Sequence, residues 1–473
     1  MFYILFILSI LSKLFRSPEN GCSSGTGGRS ALSAFRALAY LPNRLLSLHC
    51  MRAHARFLAI VLSICAGPVH TGAQSDSTQT TNVFRRFSQY VGKIEVSETG
   101  SGAKATLGSG FFVSPDGHMI TNYHVISKLV HDPDRYRAEL IAADGTAHRV
   151  IVIAVDAISD LALVRTPFKS SEHFALTPVT LAQGARLYAL GHPKDLGLSI
   201  VEGTYNGLLR HTLYPKIHFT GSLNPGMSGG PTISERGDVV GINVSTEGNA
   251  ISFLVPAERA AELLAKARQS DFALPANLLA EVGRQIRSFQ DVYFAHMFTG
   301  ATPRVKLGRF NLPTKPAPFF KCWADGTRNK NLTYQIVEHS CSTDDYLFIS
   351  GDQLSGIAEL SHELITTSEL NPARFYALYS SRFQEETLSG MYGSLEQVTP
   401  FECETRNVVN GTRKLRAAMC VRRYRKLDGL FDAVINAAIL GERDMGLLTT
   451  LAISGVSFEN AQGLAKRFLE SIK

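Results

Sequence analysis

The sequence predicts an all-β region from Lys93 to about Pro256, then helices, then an α+β segment held by disulfides. Three observations predict it. Short apolar runs follow one another between Gly, Pro, Asn and Asp: "KIEV", "LGSGFFV", "HMITNYHVI", "AELIAADGTAHRVIVIAV", "LALVR", "RLYALG", "DVVGINV" and "AISFLV". Such spacing, without long helical patterns between runs, belongs to barrels and sandwiches. At Pro256 the apolar period lengthens to that of a helix. Finally, Cys322, Cys341, Cys403 and Cys420 are confined to the C-terminal third, an even number that suits disulfides in an oxidising compartment.

Taken in order, the chain opens on an expected presequence over residues 1–73. "MRAHARFLAIVLSICAGPVHTGAQS" from Met51 has a basic start, a short apolar run and small residues before a cut after Ala73. Met51 is the expected initiator, and Met1–Cys50 reads either as sequence upstream of the true start or as a membrane anchor. The first 73 residues hold seven basic side chains and one acidic; the remaining 400 hold 41 Lys+Arg against 40 Asp+Glu. All but one unit of the overall charge of +7 therefore belongs to the presequence, and no nucleic-acid partner is expected. The expected mature form is exported, periplasmic or secreted, with no membrane segment.

Residues 74–92 are polar and expected to be a flexible lead-in. In the β-rich region, Asp144-Gly145 between two apolar runs signals a hairpin. "PAERAAELLAKARQS" sets Ala260, Leu263, Leu264 and Ala267 on one helical face, and a helical connector is expected over residues 271–301. Thr302–Pro318 reads as a linker or surface crossing. In the accessory segment 302–473, "PFFKC" and "PFEC" each precede a Gly-Thr-Arg turn, and each unit is closed by a second cysteine. This weak repeat favours the pairings Cys322–Cys341 and Cys403–Cys420 among three possible, with chance similarity as the alternative. An amphipathic helix from Ser457 ends the chain.

The chemistry centres on "GSLNPGMSGGPTIS", Gly221–Ser234. Serine is a weak nucleophile until a base takes its proton and donors receive the oxyanion. Glycines on both sides of Ser228 let main-chain amides, here those of Gly226 and Ser228, turn inward together. His124 follows the apolar run "HMITNY", and Asp160 precedes "LALVR". His, Asp and Ser thus occur in that order across one β-rich region.

Residues 93–270 resemble a trypsin-like serine protease of chymotrypsin fold, most similar to the HtrA/Deg branch. The resemblance rests on "GSGFFVSPDGHMITNYHVI", "SDLALVR", "GARLYALGHPKDLGLSIVEGTYNGL", "NPGMSGGP" and "VVGINV…ISFLVPAERAAELL". It implies two packed six-stranded β-barrels with His124, Asp160 and Ser228 as catalytic triad in the cleft between them, acting on protein or peptide substrates. Asp156 is the rival for the acid. Met227 departs from the Asp or Asn of relatives, which leaves open how the loop is held. Ser222, six residues before the nucleophile, stands where relatives that cut after Lys or Arg carry an Asp, so an uncharged substrate side chain is expected. No cofactor and no metal is expected: neither H-E-x-x-H nor a ligand-spaced cluster occurs. A homo-oligomer is allowed by the resemblance. The competing readings are an inactive protease-fold scaffold and a hydrolase acting on esters.

Overall fold

The computed structural model describes residues 72–142, 144–270, 272–295, 297–299, 302–327, 332–383 and 393–473. The expected presequence lies outside them except for Gly72 and Ala73, as do Cys22, Cys50 and Cys65. Among the described residues no helix is long and apolar enough to cross a membrane. The first element corrects an expectation. The supposed flexible lead-in is helix α1 (Gly72–Phe87) followed by a short turn at Ser88–Tyr90. Its polar composition hides two anchors: Val83 and Phe87, four residues apart on one face, are both buried, and Phe87 stacks on Phe174 at 5.6 Å.

Both six-stranded barrels are present. Barrel one comprises β1 (Val91–Glu98), β2 (Lys104–Phe112), β3 (His118–Thr121), β4 (Tyr136–Ile141), β5 (Ala147–Asp156) and β6 (Leu161–Arg165), closed in the order β1-β2-β3-β6-β5-β4. The hairpin signalled by Asp144-Gly145 joins β4 to β5, where the Asp144 carboxylate accepts from Thr146 N at 2.9 Å. Barrel two comprises β7 (Arg186–Gly191), β8 (Ser199–Leu208), β9 (Ile217–Phe219), β10 (Pro231–Ile233), β11 (Val239–Gly248) and β12 (Ile251–Pro256), closed as β10-β11-β12-β9-β8-β7. Closure leaves neither barrel a free edge, which removes the usual route to strand addition.

One helix interrupts barrel one where only strand was expected. Strand β3 stops at Thr121, and α2 (Tyr123–His131) begins, so His124 sits in a first helical turn instead of at a strand end. Val125, Ile126 and Val130 face the core at helical spacing. After barrel two, α3 (Ala257–Ala267) buries Ala260, Leu263 and Leu264, the face its spacing predicts, and α4 (Leu278–Ala295) forms the connector.

The segment 302–318 is no linker. It forms the hairpin β13 (Arg304–Leu307) and β14 (Phe310–Pro313), with Leu307, Phe310 and Leu312 all buried. The alternation V-K-L-G-R-F-N-L is that of paired strands, although prolines flank it on both sides. The C-terminal strands are β15 (Phe320–Thr327), β16 (Gln335–Thr343), β17 (Leu347–Ser350), β18 (Gln353–Ser355), β19 (Ala358–Thr366), β20 (Glu402–Asn410), β21 (Arg413–Arg423), β22 (Phe431–Ile439) and β23 (Met445–Val456). Seven of them form one antiparallel sheet ordered β15-β16-β19-β23-β22-β21-β20, while β17 and β18 make a separate hairpin.

The two cysteine units are the two edge hairpins of this sheet. Cys322 faces Cys341 and Cys403 faces Cys420 directly across their strands, each pair at disulfide distance with Cα atoms 4.0 Å apart. Both edges are thereby stapled to their neighbours. Helix α5 (Pro372–Arg382) packs Phe375 and Tyr379 against Ile365 and Ala438 on one face. Helix α6 (Phe458–Ser471), capped by Ser457, buries Ala461, Leu464 and Phe468 on the other.

The same apolar cluster runs from barrel one through α4 into the C-terminal sheet. Val282, Ile286, Tyr293, Phe294 and Met297 lie within it, and Tyr293 stacks on Phe319 at 4.4 Å. At about 2 kcal/mol for each such side chain, this shared core is worth on the order of 10 kcal/mol, comparable with the whole stability of a typical domain. A chain cut after Thr299 is therefore expected to lose its cooperative thermal unfolding transition. Calorimetry checks this; a truncated chain that melts sharply near the full-length temperature would contradict it.

Candidate active site

The helix start at Tyr123 and the loop before β6 bring His124 and Asp160 together. His124 Nδ1 lies 2.5 Å from Asp160 Oδ2, and the His124 main-chain N–H donates to Asp160 Oδ1 at 2.8 Å. Asp160 takes a left-handed backbone conformation, φ 54°, which Asp tolerates better than most residues. That turn is held by its carbonyl, which accepts from Asn122 Nδ2 at 2.8 Å and Tyr123 N at 3.1 Å. The rival, Asp156, is occupied elsewhere: its Oδ1 caps the turn by accepting from Ile158 N and Ser159 N.

The imidazole is pulled two ways. Burial favours its neutral form, but the charge of Asp160 and the hydrogen bond to it outweigh burial, so its pKa stands above the ordinary value. With Nδ1–H donating to Asp160, Nε2 keeps a lone pair toward the cleft, the tautomer a general base requires.

The Ser228 loop is fastened from both barrels. From barrel one, Ser109 Oγ donates to Gly226 O at 2.8 Å and Ser109 N donates to Ser228 O at 2.8 Å. From barrel two, Asn243 Nδ2 donates to Met227 O at 3.2 Å, while Thr232 Oγ1 donates to Asn243 Oδ1 at 2.6 Å. The Met227 side chain is fully buried among Leu187, Ala189 and Val240. Apolar burial and an amide clamp thus hold the loop without the acid or amide of relatives. Ser109, Asn243 and Thr121, whose Oγ1 donates to Ser109 O at 2.7 Å, escaped the sequence analysis because each sits inside an apolar strand run.

Two glycines have specific jobs here. Gly226 has φ 97°, and a Cβ there would collide with the His192 carbonyl. Gly229 has φ 85° and packs so closely on Ser109 O and Asn122 N that no side chain fits. The Pro225 carbonyl accepts from Lys194 N at 2.9 Å. In a trans peptide the next N–H points the opposite way, so the Gly226 amide is directed away from Lys194. No described residue accepts a hydrogen bond from the amides of Gly226 or Ser228. Two main-chain donors within two residues of the serine hydroxyl thus have no acceptor among the described residues, as an oxyanion site requires.

Not every expected contact is made. Among the described hydrogen bonds none joins Ser228 Oγ to the His124 ring; Oγ instead lies 3.5 Å from the Val244 carbonyl. Such contacts are often long before substrate arrives. Beside Ser228 opens a cavity of about 220 Å³, lined by Leu223, Pro225, Asn243, Val244 and Thr246. No charged side chain lines it. Ser222, the expected specificity residue, is exposed and outside that lining, which includes its buried neighbour Leu223.

Residues 108–242 match the family described as "Trypsin-like peptidase domain". The chain is 26% identical over 267 residues to "Serine protease HTRA2, mitochondrial" of Bos taurus, covering 50% of this chain and 56% of that one. It is 30% identical over 198 residues to "Protease Do-like 5, chloroplastic" of Arabidopsis thaliana, covering 36% of this chain and 60% of the other. A solved structure titled Deg5 aligns over 40% of this chain and 92% of its own, at 26% identity and a TM-score of 0.34. The chain therefore spans less than two thirds of the length of these two curated relatives.

Proposed function

We propose that this chain, whose residues 108–242 form a trypsin-like peptidase domain similar to HtrA/Deg proteases, is a serine endopeptidase acting on protein or peptide chains. The observation that carries the reading is the His124 Nδ1–Asp160 Oδ2 contact at 2.5 Å; the packing of Gly229, next to Ser228, against Asn122 N and the absence of a described acceptor for the Gly226 and Ser228 amides support it. Ser228 Oγ attacks the peptide carbonyl as His124 Nε2 takes its proton, and the two amides receive the oxyanion. The tetrahedral species collapses as Nε2 gives that proton to the leaving amine. Water then repeats the cycle on the acyl-enzyme, with His124 again as base. Asp160 fixes the imidazole tautomer and stabilises its charged form without taking the proton itself. Export is proposed as well, on the signal-like pattern from Met51 and the two cysteine pairs at disulfide distance.

Labelling of the full chain with a fluorophosphonate, mapped by mass spectrometry to Ser228, tests the assignment. Absence of labelling on a folded chain would favour the inactive-scaffold reading. The neutral cavity carries a second expectation. A Lys or Arg side chain entering it would lose hydration with no carboxylate in return, so cleavage after either is expected about 100-fold less efficiently than after Val or Leu. Cleavage profiling on a peptide library checks this, and a preference for basic residues would overturn it.

A further inference from the structure

The C-terminal region reaches the site itself. After β16 ends at Thr343, the chain runs through Asp345 into β17, and this stretch touches both barrels. On barrel two, Asp345 accepts from Leu213 N at 3.0 Å and from Lys216 Nζ at 2.5 Å, both in the β8–β9 connection. The Lys216 ammonium, almost wholly buried, also lies 4.5 Å from the centre of the Tyr214 ring. On barrel one, the Ile349 carbonyl stands 2.9 Å from both Tyr123 Oη and His131 Nε2 of α2. Between these anchors Phe348 meets the His124 ring edge to face, centres 5.8 Å apart at 65°, and the Tyr123 ring at 6.2 Å.

We infer that Asp345–Ile349 is a strap that holds the two barrels in register across the cleft, with Phe348 as the positioning residue for the His124 imidazole. The inference rests on His124 being the general base. A ring held by its Cβ–Cγ bond and a single hydrogen bond at Nδ1 can still rock about the line joining them, and such tilt misdirects Nε2. An aromatic edge against its face removes this freedom and keeps water from the Asp160 hydrogen bond. The contact belongs to a region outside the barrels, so it makes residues 302–473 part of the catalytic apparatus rather than a tethered accessory.

The test uses full-length Phe348→Ala, Phe348→Leu and Asp345→Asn, each first shown by circular dichroism and thermal unfolding to be folded. The rate of fluorophosphonate labelling is expected to fall about tenfold in Phe348→Ala and Asp345→Asn and to recover in Phe348→Leu, which restores bulk against the ring. Peptide hydrolysis should lose kcat with KM little changed. Independently of any activity, the proton between His124 Nδ1 and Asp160 should give a downfield NMR signal in the unaltered chain and in Phe348→Leu, and be lost to solvent exchange in Phe348→Ala. Labelling at the original rate in Phe348→Ala, with that signal retained, overturns the strap. A chain that never labels, yet loses the signal on the same substitution, overturns the protease reading and leaves the strap standing.

Discussion

Replacing Ser228 by alanine is expected to lower kcat about 10⁶-fold, the cost of removing the nucleophile from a complete triad. The physical reason is that each remaining group serves the missing one. His124 has no hydroxyl proton to accept, and the Gly226 and Ser228 amides can act only on an oxyanion that water must now generate. Some acceleration persists, since those amides and the neutral cavity still bind and polarise a substrate carbonyl. The fold should be untouched, because the bonds holding the loop run through main chain: Ser109 N to Ser228 O and Asn243 Nδ2 to Met227 O. Steady-state kinetics on a peptide identified by profiling, with thermal unfolding as control, measure both. Activity within tenfold of the unaltered chain would remove Ser228 from the mechanism.

Replacing Asp160 by asparagine is expected to lower kcat about 10⁴-fold at neutral pH. The amide nitrogen of Asn can donate to Nδ1, which drives the imidazole proton to Nε2, where the base needs a lone pair. A pH profile separates this from simple damage. In the unaltered chain the base works when His124 is neutral, so kcat/KM should rise with pH through a pKa above the usual histidine value of about 6.5. Burial alone would lower that pKa, and the Asp160 charge and hydrogen bond reverse it. Without the charge, burial remains, and the acid limb of the residual activity should move to lower pH. A limb that stays in place would mean Asp160 does not face the ionising group.

Different parts of the molecule were legible to different degrees. The barrels were legible because β-strands with one face inward announce themselves locally, as "LALVR" and "DVVGINV" do, and because the glycines around Ser228 are costly anywhere except in such a loop. The cysteine pairs were legible as well, since each joins adjacent strands of one hairpin. Helix α1, the β13–β14 hairpin and α2 were less legible because composition and pattern disagree there: a polar helix held by two apolar residues, an alternating pair between prolines, and a histidine in the first turn of a helix. Counting back from Ser228 cannot say which of two neighbours, Ser222 or Leu223, lines the cavity beside it.

By itself the sequence determined that two barrels would form and which groups to propose for the chemistry, because motif spacing and strand alternation are properties of the chain read locally. Only the tertiary structure decided how the Ser228 loop is held without an acid, which side chains line the neutral cavity, and that Phe348 stands against His124. Each of these joins residues from separate elements: Ser109 and Asn243 come from different barrels, and Asp345 lies 129 positions from Lys216. Contacts at such separations leave no periodicity behind, and they exist only once closed barrels and a shared core have brought the elements together.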